Sequence, residues 1–579
     1  MLKFAINIFD LTPEQNKAFQ PQTSTGNPKA SSTVSSRQVI GLVVLGLALA
    51  ITIIDSTIVN IALPSIQKDF SISVNDLEWI SAIYALFFGS FLLTWGKLSD
   101  EFGRRRIFMI GVATFIIGST ITGVSNSLAT MLVGRAIQGF GAAMATPSTL
   151  SILTTTFTGK ARGVAFGIWG AVAGAAGAFG PILGGYFTTY YSWRWAFLIN
   201  VPIGLVALIG AIVVVQESKF RDPKYTTDFG GVTLIALSLS SILFGFIEAQ
   251  TYGWLVPNQT FALGSFTWPF SNISISAVSI IAGFILLGGF VLFESRRQKK
   301  GKVPLMDFSL FKFRGFRFGV LTVLIVAMGE FGVLFFLSIY FQVVRGLTAI
   351  NTGITFLPLA FAAFFFAPAA GLLSNKFGPK WIVTTGMILE ATALYGLWQI
   401  TQVSNPLYTF YPILFIYGAG IGLAIGQLTN TVLMSIPWQK AGIGSGVNST
   451  FRQIGSAFGV AVIGAVLVAE IAAVGKADLA ASAIIPDYLK SILQGVLNSG
   501  LQGRVTPSIP SGSGPLQTAI TSVFDDAITQ GTRWAAFTAA LFVTFGAISS
   551  LFIPNSKKSE QSKSWEAVPK DTSMGERSK

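Results

Sequence analysis

The chain has 579 residues, of which 51% are hydrophobic and only 11% charged, against roughly 25% charged in soluble domains, so most of it is not built to face water. A formal charge of +14 suggests nucleic acid only where basic residues gather on a folded face with groove-reading partners, and here they do not. The absence of Cys and His excludes disulfides, thiol nucleophiles, His general bases and ordinary zinc sites, leaving any proton chemistry to carboxylates.

Residues 1–38 are polar and lack the basic start, short apolar run and small-residue cleavage site of a secretory signal, so they read as a cytoplasmic tail. Apolar blocks then recur at the length of about 17 to 25 residues that crosses a hydrocarbon core of roughly 30 Å. Within 39–216 they predict six spans, Val39–Leu63, Ile80–Trp95, Ile107–Val124, Met131–Ile152, Val164–Tyr186 and Trp195–Val215. The segment 217–317 holds two more, Gly231–Ile247 and Ile273–Phe293, with cytoplasmic linkers. Residues 318–553 hold Phe318–Tyr340, Thr352–Leu373, Trp381–Ile400, Tyr411–Met434, Gly444–Val468 and Trp534–Phe552. The last two are separated by a long outer loop at about 469–533. Its apolar piece Ala483–Leu501 and its Gly/Ser/Pro stretch Thr506–Pro515 predict short interfacial helices joined by a flexible segment. Residues 554–579 form a second cytoplasmic tail. The 61 Gly residues suit helices in lipid, which associate through small residues that let backbones approach.

With both termini inside, 30 of the 39 Lys and Arg residues lie in tails and inner loops, 7 lie outside and 2 within spans, which the positive-inside rule favours. Eight of them lie between Arg296 and Arg317, where an anchor to anionic membrane lipid is the expected reading. The net charge thus reports topology, and no nucleic-acid partner is expected.

The chain repeats itself. Gly96-Lys-Leu-Ser-Asp-Glu-Phe-Gly103 aligns with Gly371-Leu-Leu-Ser-Asn-Lys-Phe-Gly378 at an offset of 275 (371 − 96). At an offset of 279 (442 − 163), Gly163, Gly167, Ala178, Phe179, Gly180 and Gly185 align with Gly442, Gly446, Ala457, Phe458, Gly459 and Gly464. Two matches at nearly one offset predict two homologous halves of six helices, with spans seven and eight as an inserted hairpin. Parallel repeats of this kind build transporters whose substrate site lies between the halves.

Several local strings, in order, carry a family resemblance: Asp55-Ser-Thr-Ile-Val-Asn60-Ile-Ala-Leu-Pro64 in the first span, Gly96-Lys-Leu-Ser-Asp100-Glu-Phe-Gly103-Arg104-Arg105-Arg106 after the second, Arg135-Ala-Ile-Gln138-Gly139 in the fourth, Gly180-Pro181-Ile-Leu-Gly184-Gly185 in the fifth, and Trp193 to Gly204. The chain resembles the major facilitator superfamily, specifically its fourteen-span drug/proton antiporter branch of EmrB/QacA type. The second half departs from the pattern, with Asn375 where Asp100 stands and Val460 where Pro181 stands.

The resemblance implies an all-α integral membrane protein with the major facilitator fold, two six-helix bundles and an inserted two-helix hairpin. It implies a proton-coupled secondary antiporter of the plasma membrane, exporting small lipophilic, cationic compounds by alternating access. Such a carrier needs no cofactor beyond the proton gradient, and its expected partners are the substrate, protons and lipids, with the chain a monomer. The lack of a Gly-x-x-x-x-Gly-Lys-Ser/Thr phosphate loop fits this energy source. The alternative is proton-coupled movement of a physiological solute such as a metal chelate, lipid or metabolite. More remote are a membrane sensor and a membrane enzyme, and no catalytic or metal-ligating constellation is found.

Ionisable groups inside lipid are costly and point to function or pairing. The spans hold Asp55, Arg135, Glu330, Glu390 and Arg452. At about 1.5 Å per residue, Asp55 lies roughly 24 Å from its inner helix start and Arg135 roughly 6 Å from its outer one, depths that let them meet. Burial favours a neutral Asp55 and the guanidinium a charged one, a balance that small movements can tip. A permanent structural pair is the alternative. The family associates the Arg135 string with proton coupling, and Glu330, counterpart of the first span, is expected on the substrate path. A carboxyl held permanently protonated is its alternative.

Arg452 is read as pairing with Glu330 or Glu390, and Glu390 as a structural or lipid-edge group. Asn60, Gln138, Gln427 and Asn430 are candidate cavity hydrogen-bonders, the alternative being simple helix joining. Gly96, Asp100, Gly103, Arg104 and Arg105 are read as contacts that break when the carrier reopens, or as a topology-setting charge cluster. Gly180, Pro181, Gly184 and Gly185 are read as a hinge or proton-leak seal.

Overall fold

The computed structural model describes residues 35–70, 72, 74–220, 228–263, 266–498 and 514–555. Most of both predicted tails and the centre of the predicted outer loop, including most of Thr506–Pro515, lie outside the described residues.

The described chain is helical apart from one small two-stranded hairpin, Ala262–Leu263 with Phe266–Thr267. Its long helices are α1 (Ser36–Phe70), α2 (Val74–Phe102), α3 (Arg104–Gly123), α4 (Leu128–Thr156), α5 (Gly159–Tyr190) and α6 (Trp195–Val214, with a turn at Ile199). Then follow α7 (Phe229–Ile247), α8 (Ile275–Lys299), α9 (Arg314–Ile339), α10 (Leu357–Phe377), α11 (Pro379–Ile400), α12 (Phe410–Met434), α13 (Ala441–Ala481) and α14 (Gly514–Ser550). Among the described residues, 12 helices are long and apolar enough to cross a membrane. Two others, α9 of 26 residues and α11 of 22, stand where the ninth and eleventh spans were expected.

The pairing of helices repeats. α3 packs on α4, α2 on α4, α1 on α5 and α6, and α3 on α6; likewise α11 packs on α12, α10 on α12, α9 on α13 and α14, and α11 on α14. Each pair is the same pair eight helices on. The two sets meet through α2 against α13 and α5 against α10, themselves repeat equivalents. Small residues allow this closeness: a Cβ on Gly118 of α3 would lie 2.6 Å from the Gln138 amide of α4, and one on Gly111 would lie 2.7 Å from that of Ala145. The turns after α2 and α10 also correspond. Gly103 has φ 114° and Gly378 has φ 87°, a region that a residue with a Cβ rarely adopts.

α7 and α8 form a hairpin, joined by a Ser238 hydroxyl that donates to the Gly283 carbonyl at 2.9 Å. The hairpin touches both sets of helices. The Ser240 hydroxyl lies 2.8 Å from that of Ser90 on α2, and Phe246 meets Phe458 of α13 at 4.9 Å between ring centroids.

The region expected as a long outer loop is different. α13 has 41 residues and α14 has 37, about 60 and 55 Å long at 1.5 Å per residue, well beyond a hydrocarbon core of roughly 30 Å. The helix Asp487–Asn498 does not lie alone at an interface: its Leu497 closes on Gly475 of α13. Packing against a neighbour, rather than membrane thickness, carries these helices onward.

Candidate functional site

Asp55, on α1, has no exposed surface. Its side chain meets α4 and α6 through three donors. The Arg135 guanidinium donates to Oδ2 at 2.5 Å, while the Gln138 amide and the Asn200 amide donate to Oδ1 at 2.9 and 3.0 Å. Ser119 of α3 accepts from the same two amides at 2.6 and 3.3 Å. Arg135 is equally enclosed: its Nε donates to the Ile80 carbonyl at 3.0 Å, and its guanidinium lies 4.3 Å from the centre of the Tyr84 ring. A buried ion pair needs further hydrogen bonds to its remaining lone pairs and protons; α2, α3, α4 and α6 supply most of them, while Arg135 Nη2 has no hydrogen-bond partner among the described residues.

The second half carries the same chemistry with less closure. Glu330 follows Asp55 by 275 residues (330 − 55), the same offset as Gly371 from Gly96. Its Oε2 accepts from Arg452 at 2.8 Å, with side-chain exposures of 6% for Glu330 and 22% for Arg452. Of the two carboxyls expected as partners of Arg452, Glu330 is the one it salt-bridges. Glu390 on α11 is fully buried, not at the lipid edge, because Gly420 of α12 leaves room for its stem: a Cβ there would lie 2.6 Å from Glu390 Cγ. The Tyr417 hydroxyl, also fully buried, donates toward the Glu330 carbonyl at 3.5 Å.

Asp100 sits at the end of α2 against the start of α13. Its carboxylate accepts the amide hydrogens of Gly442, at 2.9 Å, and Ile443, at 3.2 Å, and two guanidinium donors of Arg104, at 2.9 and 2.6 Å. Arg104 also donates to the Trp438 carbonyl at 3.0 Å. A carboxylate at the positive end of a helix dipole, flanked by a guanidinium, joins the two sets of helices there. Gly96 belongs to the same contact, for a Cβ on it would lie 2.8 Å from Gly446 Cα. Beside it, the Lys440 ammonium binds Asp307 in the segment before α9. Burial alone would raise the Asp307 carboxyl, but the hydrogen bonds from Lys440 and Ser309 outweigh it and hold it below the usual range. Arg105 stays on its own side: its amide and that of Arg106 donate to Glu217 at 3.1 Å each.

Gly180 and Pro181 lie inside α5, which runs unbroken from Gly159 to Tyr190. Gly180 and Gly184 pack on α1 at Thr57 and Ile58, while Gly185 packs on Ile350 ahead of α10. These small residues thus seat α5 between the two sets of helices.

The described cavity candidates make hydrogen bonds between or along helices, the alternative given for them above. Gln138 is consumed by Asp55. Gln427 donates from α12 to the Gly163 carbonyl of α5 at 2.9 Å, and the Asn430 amide reaches the Gln427 side-chain oxygen at 3.5 Å. All three are buried. The Asn60 side chain lies outside the described residues. Asn200, Ser119 and Tyr84 were given no role in the sequence reading. A lone Asn inside the apolar stretch Trp195 to Val215 was the available signal for the first; the other two carried none.

The model of the Major Facilitator Superfamily matches residues 45–460. The chain is 31% identical over 430 residues to a tetracenomycin C resistance and export protein of Streptomyces glaucescens, covering 74% of this chain and 76% of that one. It is 29% identical over 422 residues to the riboflavin transporter RibZ of Clostridioides difficile, covering 73% and 86%. In fold it is similar to the proton:xylose symporter XylE, with a TM-score of 0.54 at 13% identity, covering 90% of this chain and 97% of that one.

Proposed function

The chain belongs to the Major Facilitator Superfamily, and we propose that it is a proton-coupled secondary antiporter that exports small lipophilic, cationic compounds by alternating access. The observation that carries this reading is that the repeat-equivalent acids, Asp55 and Glu330, each bind a buried or half-buried guanidinium, Asp55 that of Arg135 on α4 and Glu330 that of Arg452 on α13. Asp55 holds the proton-linked site, and the Glu330 site, whose partner Arg452 is partly exposed, faces the substrate path, where a cation and a proton compete for one carboxylate. Loading one expels the other. Each pH unit supplies about 1.4 kcal/mol and each charge crossing 100 mV about 2.3 kcal/mol, so no nucleotide is required.

In this reading the chain has fourteen spans, six plus two plus six, with α7 and α8 as the inserted hairpin and both termini cytoplasmic in the plasma membrane. The lengths of α9 and α11 and the repeated pairing of helices support that count. The Asp100 end is then the cytoplasmic gate, closed by α2 on α13, and it parts when the carrier opens inward. The chain acts as a monomer without a cofactor. The relative named for tetracenomycin C resistance and export supports the drug reading; the riboflavin transporter keeps a physiological solute as a second reading.

The test uses inside-out vesicles with a dye that reports ΔpH, candidate compounds, and wild type beside Asp55→Asn and Glu330→Gln. Proton release driven by a transported compound is expected from wild type and is lost or reduced in both variants. Release unchanged in both would remove the coupling assignments.

A further inference from the structure

Around Arg452 the second half places two buried carboxyls, Glu330 and Glu390, beside one guanidinium. Arg452 is committed to Oε2 of Glu330. Glu390 has no exposed surface, and among the described residues neither of its carboxyl oxygens has a hydrogen-bond partner. The ionisable groups within its electrostatic reach are Glu330 on α9, Arg452 on α13 and Tyr417 on α12. α14 brings no charge to its level: Arg533 meets the Trp398 carbonyl, eight residues further along α11 (398 − 390), and Asp525 and Asp526 lie beyond it. α10 brings only Lys376, in its last turn, and on α11 itself Lys380 stands at the first turn, against the Leu551 carbonyl.

A buried carboxylate without donors carries a desolvation cost that neutralisation removes. From this placement we infer that Glu390 is a second proton-binding site of the C-terminal half, protonated while Arg452 is held by Glu330 and ionised when Arg452 is released. The chemistry balances simply. Glu390 gives its proton to water in the partly open space beside Arg452, and the guanidinium takes over the carboxylate left behind. A cation that displaces Arg452 from Glu330 would therefore discharge a proton from a site it never touches. The inference rests on the proton-coupled reading for this transport consequence, and on the geometry alone for the protonation state.

The two parts are tested separately. Infrared spectra of the protein in lipid nanodiscs, from about pH 5 to about pH 9, read the carbonyl stretch of protonated carboxylic acids. The expected result is a band in wild type that is lost in Glu390→Gln. In Glu330→Gln the freed guanidinium turns to Glu390, and the band weakens there too. In proteoliposomes with ethidium as the cation, Glu390→Gln is expected to lower the proton-to-ethidium ratio by about one, and Glu390→Asp, which keeps a carboxyl, to restore it. A spectrum that Glu390→Gln leaves unchanged overturns the inference. So does a band that Glu330→Gln and pH both leave constant, which identifies a permanently neutral structural acid. Absence of proton movement in wild type would defeat the antiport reading instead, and the spectra would still decide the protonation of Glu390.

Discussion

The Asp100 carboxylate accepts the amide hydrogen of Gly442 at 2.9 Å, tying the last turn of α2 to the first turn of α13 across the seam of the molecule. Ile443 and Arg104 complete its shell. The contact is charge-assisted and buried, so it biases the molecule toward closure at this end. Asp100→Asn keeps the shape and removes the charge. Hydrogen bonds to a charged group contribute about 1.5 to 3 kcal/mol each, so the closed-to-open ratio should fall by about ten-fold or more. Spin labels on Phe102→Cys and Gln439→Cys, in a chain with no other Cys, should report a new longer distance.

The same seam depends on the absence of side chains. A Cβ on Gly96 would lie 2.6 Å from the Gly442 carbonyl oxygen and 2.8 Å from Gly446 Cα. Both are backbone atoms on another helix and cannot swing aside. Gly96→Ala should cost about 1 to 3 kcal/mol of the closed arrangement and reduce transport at normal expression. Gly288→Ala on α8, where nothing lies within 4 Å, should transport as wild type does. Equal activity of the two variants would contradict the close approach of α2 and α13.

Most helices were legible because their cause is local. An apolar run of membrane length is written in consecutive residues, and the start of α6 and the ends of α7, α11 and α12 fall on the expected residues. The repeat was legible for the same reason, since Gly103 and Gly378 are demanded by their own backbone. What was not legible depended on azimuth or on a distant neighbour. Gln138 was visible as a polar residue in a span, but its direction is fixed by Asp55 and Ser119 arriving from other helices. Glu390 looked peripheral until Gly386 and Gly420 turned that face of α11 onto α12. The overrun of α13 and α14 was hidden because Lys476, Asp478 and Asp525 interrupt the apolar pattern, while Gly531 against Leu467 and Ile471 keeps the two helices together.

The Asp307–Lys440 contact gives stability a defined pH window. The folded carboxyl titrates below its ordinary value of 3.8, so between those two values it binds fewer protons folded than unfolded. Its contribution is therefore complete at neutral pH and is lost as pH falls through the folded value. Asp307→Asn should lower the melting temperature of the nanodisc-embedded protein at pH 7, and the difference from wild type should vanish in strong acid. A difference that persists unchanged below the carboxylate range would sever the stabilisation from this ion pair.

The Asp55–Arg135 pair poses the sharper question of whether buried charges hold the fold or move protons. Asp55→Asn leaves a guanidinium in a site with no exposed surface, and breaking one side of such a pair costs about 3 to 5 kcal/mol. Arg135→Gln strands the carboxylate with the Gln138 and Asn200 amides for company, which is milder but still destabilising. The double variant removes both charges, so it should be more stable than the sum of the single losses by about 1 to 3 kcal/mol, measured by thermal unfolding in detergent. Transport separates the roles. If the pair only ties α1 to α4, stability and transport recover together in the double variant. If Asp55 carries the proton, the double variant regains its fold and yet fails to accumulate or expel substrate against ΔpH, while exchange of substrate down its own gradient continues. The second outcome is expected, because no other carboxyl among the described residues of the first half touches Arg135.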